Sequence, residues 1–186
     1  SKLPTIPPAL QINGSLRLRR YQETAIERIL DRYTDNVSTN ALVVLATGLG
    51  KTVTAGEAVR RIRSGSNKST RVLVLAHTVE IVHQLERSFW PFIDTSDASC
   101  VLGGGERPSS FDDLSRYAFV FATRDSVHEA QQQNLFPNDI FDVVIVDECH
   151  HLGAATYESV LAALRAGESS GPFLIGLTAT PWRPDG

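Results

Sequence analysis

Five consecutive residues, Gly48-Leu49-Gly50-Lys51-Thr52, follow an apolar run and precede a stretch of helical spacing. Glycines let backbone N–H groups converge on an anion, and a helix starting there adds its positive end. Lys51 is placed to reach the β and γ phosphates of a nucleotide. Thr52 is placed to ligate Mg²⁺ through its hydroxyl. The full phosphate-loop pattern has a further glycine at position 45, where this chain has Leu45. Taken alone, the segment could equally be a strand–turn–helix whose glycines only make the turn.

A second constellation ends the run Val143-Val144-Ile145-Val146 with Asp147-Glu148. Adjacent carboxylates at the tip of a buried strand are costly unless a cation or a proton-transfer task compensates them. Beside a phosphate loop, Asp147 would hold Mg²⁺, and Glu148 would orient and deprotonate an attacking water. The bland alternative is a solvated turn. It weakens once Lys51 is considered, because the two segments are the two halves of one site.

Something must bring residues 51 and 147 together, and the pattern says what. From residue 41 onward, continuous apolar runs of strand length alternate with stretches of helical spacing. The runs are Ala41–Ala46, Arg71–Ala76, Cys100–Leu102, Tyr117–Ala122, Phe141–Val146 and Phe173–Leu177. The intervening helical faces include Val53, Gly56, Val59 and Ile62, then Val79, Val82, Leu85 and Phe89, which Pro91 limits. A helix from about Arg124 and one carrying Tyr157, Val160, Leu161 and Leu164 follow. An earlier helix starts near Leu18 and faces Tyr21, Ala25, Ile26, Ile29, Leu30 and Tyr33 inward. Strands without polar alternation, separated by helices, predict an α/β fold with a mostly parallel sheet covered by helices on both faces. In such a sheet ligands bind at the carboxyl ends of the strands, where the polar segments fall.

The chain has 186 residues, of which 42% are hydrophobic and 21% charged, enough for one domain with a full core. Residues 1–17, with Pro4, Pro7, Pro8 and Gly14, read as an irregular lead-in, and residues 18–186 as the domain. A net charge of 18 − 21 = −3 excludes a globally basic nucleic-acid binder but not a local patch. Cys100 and Cys149 are too few for a disulfide scaffold or a structural zinc site, which fits a reducing, cytoplasmic setting. His150-His151 lacks a third ligand at suitable spacing for zinc. No apolar run is long enough to span a membrane, and no signal peptide opens the chain. The chain lacks methionine, starts Ser1-Lys2-Leu3 and stops in the loop-like Pro184-Asp185-Gly186. It is therefore expected to be part of a longer protein.

Asp147-Glu148-Cys149-His150 is a DExH box. With Ala46-Thr47-Gly48-Leu49-Gly50-Lys51-Thr52 it resembles the first RecA-like motor domain of a superfamily-two helicase or translocase. Further stretches match in order. Leu18-Arg19-Arg20-Tyr21-Gln22 resembles the upstream adenine-reading motif. Ala76-His77-Thr78 and Ala122-Thr123-Arg124-Asp125-Ser126 sit where nucleic-acid motifs follow their strands. Leu177-Thr178-Ala179-Thr180-Pro181 resembles the S/T-A-T motif, and Trp182-Arg183-Pro184-Asp185-Gly186 resembles the ending of a subgroup with DNA-repair helicases and restriction-enzyme motor subunits. The resemblance spans residues 18–186, and Leu45 is compatible with it.

The resemblance implies ATP and Mg²⁺ as ligands, with Lys51, Asp147 and Glu148 catalytic and Thr52 and Asp147 on the metal. Thr47, Gly48, Leu49 and Gly50 would cradle phosphates. Gln22 would read the adenine edge, since an amide carries both a donor and an acceptor, and Arg19 would flank the base or order that loop. Gln22 could instead be a solvent-facing helix residue, and Tyr21 a packing residue. His77, Thr78, Gly104, Thr123 and Arg124 would contact the backbone of a nucleic acid, DNA being favoured over RNA. The glycines at 103–105 could alternatively form a flexible turn, and Arg107 be a solvated charge. His150, Thr178 and Thr180 would couple the two sites. A second RecA-like domain should complete the ATP site with an arginine finger. The fragment alone should therefore bind nucleotide weakly and hydrolyse little. A translocase that leaves strands paired shares all these motifs. A nucleic-acid-independent phosphate-loop NTPase shares only the loop and the acids.

Overall fold

The computed structural model describes residues 17–46, 50–66, 69–105, 110–149 and 153–179. In chain order the elements are α1 (Arg20–Thr34), β1 (Asn40–Val44), α2 (Lys51–Gly65), β2 (Val72–Ala76), α3 (Val79–Phe89), β3 (Ser99–Leu102), β4 (Phe119–Thr123), α4 (Arg124–Gln132), β5 (Val143–Val146), α5 (Ala155–Leu164) and β6 (Phe173–Thr178). The six strands form one sheet in the order β1-β6-β5-β2-β4-β3. Every pairing is parallel.

The apolar runs explain this. Residues of β2, β4 and β5 alternate between two separate cores. Val72, Val74, Phe119, Phe121, Val143 and Ile145 face one side, packed with Ile26, Ala55, Val59, Val82 and Phe89 of α1, α2 and α3. Leu73, Leu75, Val120, Ala122, Val144 and Val146 face the other, packed with Val127, Tyr157, Val160 and Leu164 of α4 and α5. A strand buried on both faces has no polar row to show, so it reads as an unbroken apolar run. Gly56, inside α2, leaves space for the Phe92 ring, which a Cβ there would strike. A helix-weakening residue is thereby tolerated for packing. Pro91 closes α3, which ends at Phe89 and passes into a short 3-10 turn at Trp90–Phe92.

Every strand departs from its apolar run by one or two residues at an end. Tyr117 follows a 3-10 turn, Phe111–Arg116, so β4 starts at Phe119 and not at residue 117. β5 starts at Val143, not Phe141, and β6 runs on through Thr178. Burial on both faces also fails at β1. This strand lies at the sheet edge, and Leu42 and Val44 are 55% and 42% exposed among the described residues. Its apolar run looks like the others because strand order is not written in local sequence.

Candidate nucleotide-binding site

All six strands point their carboxyl ends to one rim, and the strand order sorts the polar segments along it. Lys51 and Asp147-Glu148 follow β1 and β5, and Thr178 ends β6, the strand between them. His77-Thr78 and Gly104 follow β2 and β3, and Thr123 ends β4 with Arg124 after it. The seam between the two groups is the β5–β2 pairing, and there Asp147 N–H donates to the Leu75 carbonyl at 3.0 Å.

Gly50 is the residue before α2, with φ 79° and ψ 40°. That left-handed conformation is costly for any residue with a Cβ. The Thr54 N–H and its hydroxyl both donate to the Gly50 carbonyl at 3.0 Å. The helix so started places Lys51 and Thr52 in its first turn. Thr47, Gly48 and Leu49 lie outside the described residues.

Lys51 hydrogen-bonds Glu148, and its Nζ stands 3.6 Å from Asp147 Oδ1. Burial alone would lower the lysine pKa. The Glu148 hydrogen bond and the charges of both acids outweigh it and raise the pKa above its usual value. Lys51 therefore holds its proton. Asp147 is pushed up, chiefly by burial and further by Glu148, against the pull of Lys51. Asp147 Oδ1 is fully buried and has no hydrogen-bond partner among the described residues. Glu148 has a positive φ of 51°. Backbone strain of that kind persists where surrounding structure fixes a side chain in a set direction. Gly176 of β6 makes the room behind this turn: a Cβ there would lie 2.9 Å from Cys149 Sγ. Cys149 is itself buried, and desolvation raises its thiol to about 11, so it is an inert packing residue.

These donors fit Mg²⁺. A buried carboxylate oxygen with no hydrogen bond, and only the Lys51 ammonium at 3.6 Å, has capacity left for a cation. The hydroxyl of Thr52 adjoins Lys51, which reaches the same acids. One carboxylate and one hydroxyl make the sparse protein set that Mg²⁺ accepts when water and phosphates supply the rest. Among the described residues no cluster of His, Cys, Asp and Glu offers a dedicated metal cage.

Gln22 is only 7% exposed, so it is no solvent-facing helix residue. Its Oε1 accepts the Arg19 N–H at 2.8 Å, and its own N–H donates to the Arg19 carbonyl at 2.9 Å. Arg19 has no acceptor to cap α1, so Gln22 does part of that work by reaching back one turn. Its Nε2 lies against Gly50, where a Cβ would collide with it. The α1 segment therefore abuts Gly50, the residue before α2, directly. Arg19 is exposed, with Nη1 3.4 Å from the Tyr21 hydroxyl.

Thr178 is fully buried on β6, the strand between β1 and β5. Its carbonyl accepts the Leu45 N–H at 3.1 Å, tying it to the start of the loop. His150 and Thr180 lie outside the described residues.

Across the seam, both threonine hydroxyls turn to capping. Thr78 Oγ1 accepts the Ile81 N–H at 3.3 Å at the start of α3. Thr123 Oγ1 accepts the Ser126 N–H at 3.2 Å and donates to Ser126 Oγ at 2.7 Å at the start of α4. Gly104 turns with φ +60° against Val79, whose Cγ1 would lie 3.2 Å from an added Cβ. His77 is half-buried beside Thr78. Arg107 lies outside the described residues. Arg124 sits 5.0 Å over the Tyr157 ring, with its Nε bonded to Asp125 Oδ1 at 3.1 Å. Tyr157 had been legible only as a helix-face residue. It is fully buried, its hydroxyl has no hydrogen-bond partner among the described residues, and burial raises its pKa to about 12. Nothing in local sequence announces a contact between residues 124 and 157.

At the opposite rim, a cleft of about 560 Å³ between Tyr33, Asp139, Asp142, Arg165 and Glu168 holds none of these groups.

A parallel sheet with a lysine-bearing loop after β1 and an acid pair after β5 defines a RecA-like phosphate-loop domain. Residues 15–183 match the family model described as type III restriction enzyme, res subunit. The chain belongs to that family. It is 30% identical over 177 residues to the DNA 3'-5' translocase XPB2 of Sulfurisphaera tokodaii, covering 94% of this chain and 33% of the relative. It is 32% identical over 183 residues to the type I restriction enzyme EcoAI endonuclease subunit of Escherichia coli, covering 97% of this chain and 22% of that protein. The helicase domain of Hef from Pyrococcus furiosus superposes with a TM-score of 0.71 at 26% identity, covering 90% of this chain and 34% of that one. The chain thus spans a third or less of the length of these relatives. Among the described residues, no helix is long and apolar enough to cross a membrane.

Proposed function

We propose that this domain binds Mg²⁺–ATP between the β1 and β5 strand ends and a nucleic acid, DNA, along the β2–β4–β3 ends. In the intact protein, hydrolysis would drive movement along a duplex or its opening. The observation that carries this reading is the Lys51–Asp147–Glu148 cluster, in which the buried Asp147 Oδ1 lacks a hydrogen bond.

Lys51 neutralises the acid pair. Arriving phosphates compete with Glu148 for Lys51 and free the Glu148 carboxylate. That carboxylate then orients a water and accepts its proton. Thr52 and Asp147 would hold Mg²⁺, which supplies charge neutralisation on the phosphates. Gln22 reads the adenine edge through its amide, and Arg19 flanks that segment. Thr47, Gly48, Leu49 and Gly50 would offer backbone N–H groups to the phosphates.

On the other side, His77, Thr78, Gly104, Thr123 and Arg124 bring the amino ends of α3 and α4 to a phosphate backbone, a mode of grip without base readout. Thr178, together with His150 and Thr180, would couple the two groups. A second RecA-like domain of the same protein would supply an arginine finger, worth about 10³–10⁵ in rate. Residues 1–186 alone are therefore expected to show little ATPase even with DNA present. Robust DNA-stimulated turnover by this chain would refute that part of the reading. Translocation without strand separation is the second reading, favoured by the relative named a translocase. A strand-displacement assay on the full-length protein separates the two.

A further inference from the structure

The amino end of α1 is held by more than its own hydrogen bonds. Arg61 of α2 reaches across to Glu23, the residue after Gln22, with Nη1 at 2.6 Å and Nη2 at 3.1 Å from its two carboxylate oxygens. The same guanidinium is gripped from behind, its Nε donating to Glu57 Oε1 at 2.9 Å. Glu57 is only 6% exposed. Arg60 secures it from its other side, at 2.8 Å and 2.7 Å. The chain is thus Arg60–Glu57–Arg61–Glu23, running from inside α2 to the first turn of α1.

Joining two helices does not require this arrangement. The apolar contacts of Ile26 and Ile29 with α2 already do so. A buried carboxylate is a costly way to gain stability unless every one of its bonds is made. What the network does fix is the position of one residue, Glu23. A helix's first turn is the part most prone to fraying, and here Arg19 gives it no side-chain cap. Gln22 lies in that turn, pressed on Gly50.

We infer that Arg61, oriented by Glu57 and bonded to Glu23, is a positioning residue that holds Gln22 against the phosphate loop and so sets selectivity for adenine over other bases. The inference rests on the reading of Gln22 as the base-reading residue. Both carboxylates in the chain have lowered pKa values, Glu23 through its bond to Arg61 and Glu57 through its bonds to Arg60 and then Arg61, so all four charges are present at neutral pH.

The test is equilibrium binding of Mg²⁺–ATP, Mg²⁺–GTP and Mg²⁺–tripolyphosphate to the chain and to Arg61→Ala, Glu23→Gln and the double variant, with a melting curve for each. The chain itself should prefer ATP over GTP by about tenfold, the worth of a hydrogen bond or two. Each single variant should bring that ratio close to one while binding tripolyphosphate as the chain does. The double variant should lose no more selectivity than either single one. Glu23 is partly exposed, so Glu23→Gln should stay folded even if Arg61→Ala does not. Variants that melt lower yet keep the ATP:GTP ratio would show a purely structural tie and overturn the inference. A chain that binds all three ligands equally would overturn the reading of Gln22 first, and the brace with it.

Discussion

At the scale of single residues, the site is a charge balance around Lys51. Asp147 is buried, and burial pushes its pKa up, so its charge opposes folding at neutral pH. A group with a raised folded pKa stabilises most below its unfolded value and loses that contribution as pH rises. Asp147→Asn is therefore expected to raise the melting temperature at neutral pH, while nucleotide binding loses its dependence on Mg²⁺. A gain of 1 kcal/mol would read as about 2–4 °C in a domain of this size. Calorimetry and binding titrations with and without Mg²⁺ check both halves; a fall in melting temperature would contradict the burial argument. Gly50→Ala has the opposite expectation. A Cβ must adopt φ 79° and also displaces Gln22 Nε2. The left-handed conformation alone costs about 1–2 kcal/mol, so the melting temperature should drop by several degrees and nucleotide binding should weaken with it. Lys51, Asp147 and Glu148 are legible as candidates because phosphate and metal chemistry restricts residue types to few choices, and the structure brings the three side chains together. The Lys51–Glu148 bond is not legible, since it joins the start of α2 to the turn after β5, far apart in sequence.

At the scale of elements, strand order does the sorting. Segments that alternate along the chain separate in space into a β1–β6–β5 group and a β2–β4–β3 group. The strands themselves were legible because burial on both faces leaves unbroken apolar runs. Their order was not, and this is why β1 reads like β2 although Leu42 and Val44 are exposed at the edge. Helix contacts were hidden for the same reason. Arg61 and Glu23, or Arg124 and Tyr157, carry no mark of each other in local sequence. The α1–α2 tie has its own pH signature. Glu23 and Glu57 have folded pKa values below the ordinary 4.5. Their contribution is present above that value and is lost as pH falls through the lower folded values. Melting curves from pH 7 to pH 3 should show a loss beginning below about 4.5 that is smaller in Glu23→Gln. An equal acid-induced loss in that variant would contradict the tie.

At the scale of the whole molecule, the chain is one covered sheet with its chemistry on one rim. It matches only a third or less of the length of relatives that include a DNA translocase and a restriction-enzyme subunit. Nucleotide binding should therefore be a property of this domain, and turnover a property of the longer protein. Glu148→Gln in the full-length protein should preserve ATP binding and abolish steady-state hydrolysis, because the amide still meets Lys51 but cannot accept a proton. Everything above turns on the Lys51 cluster being a nucleotide site. Titration of Mg²⁺–ATP into residues 1–186 and into Lys51→Ala tests it most directly. Saturable binding by the chain and its loss in the variant are expected, with both proteins folded. Binding of equal strength in the two, or none in either, would contradict it.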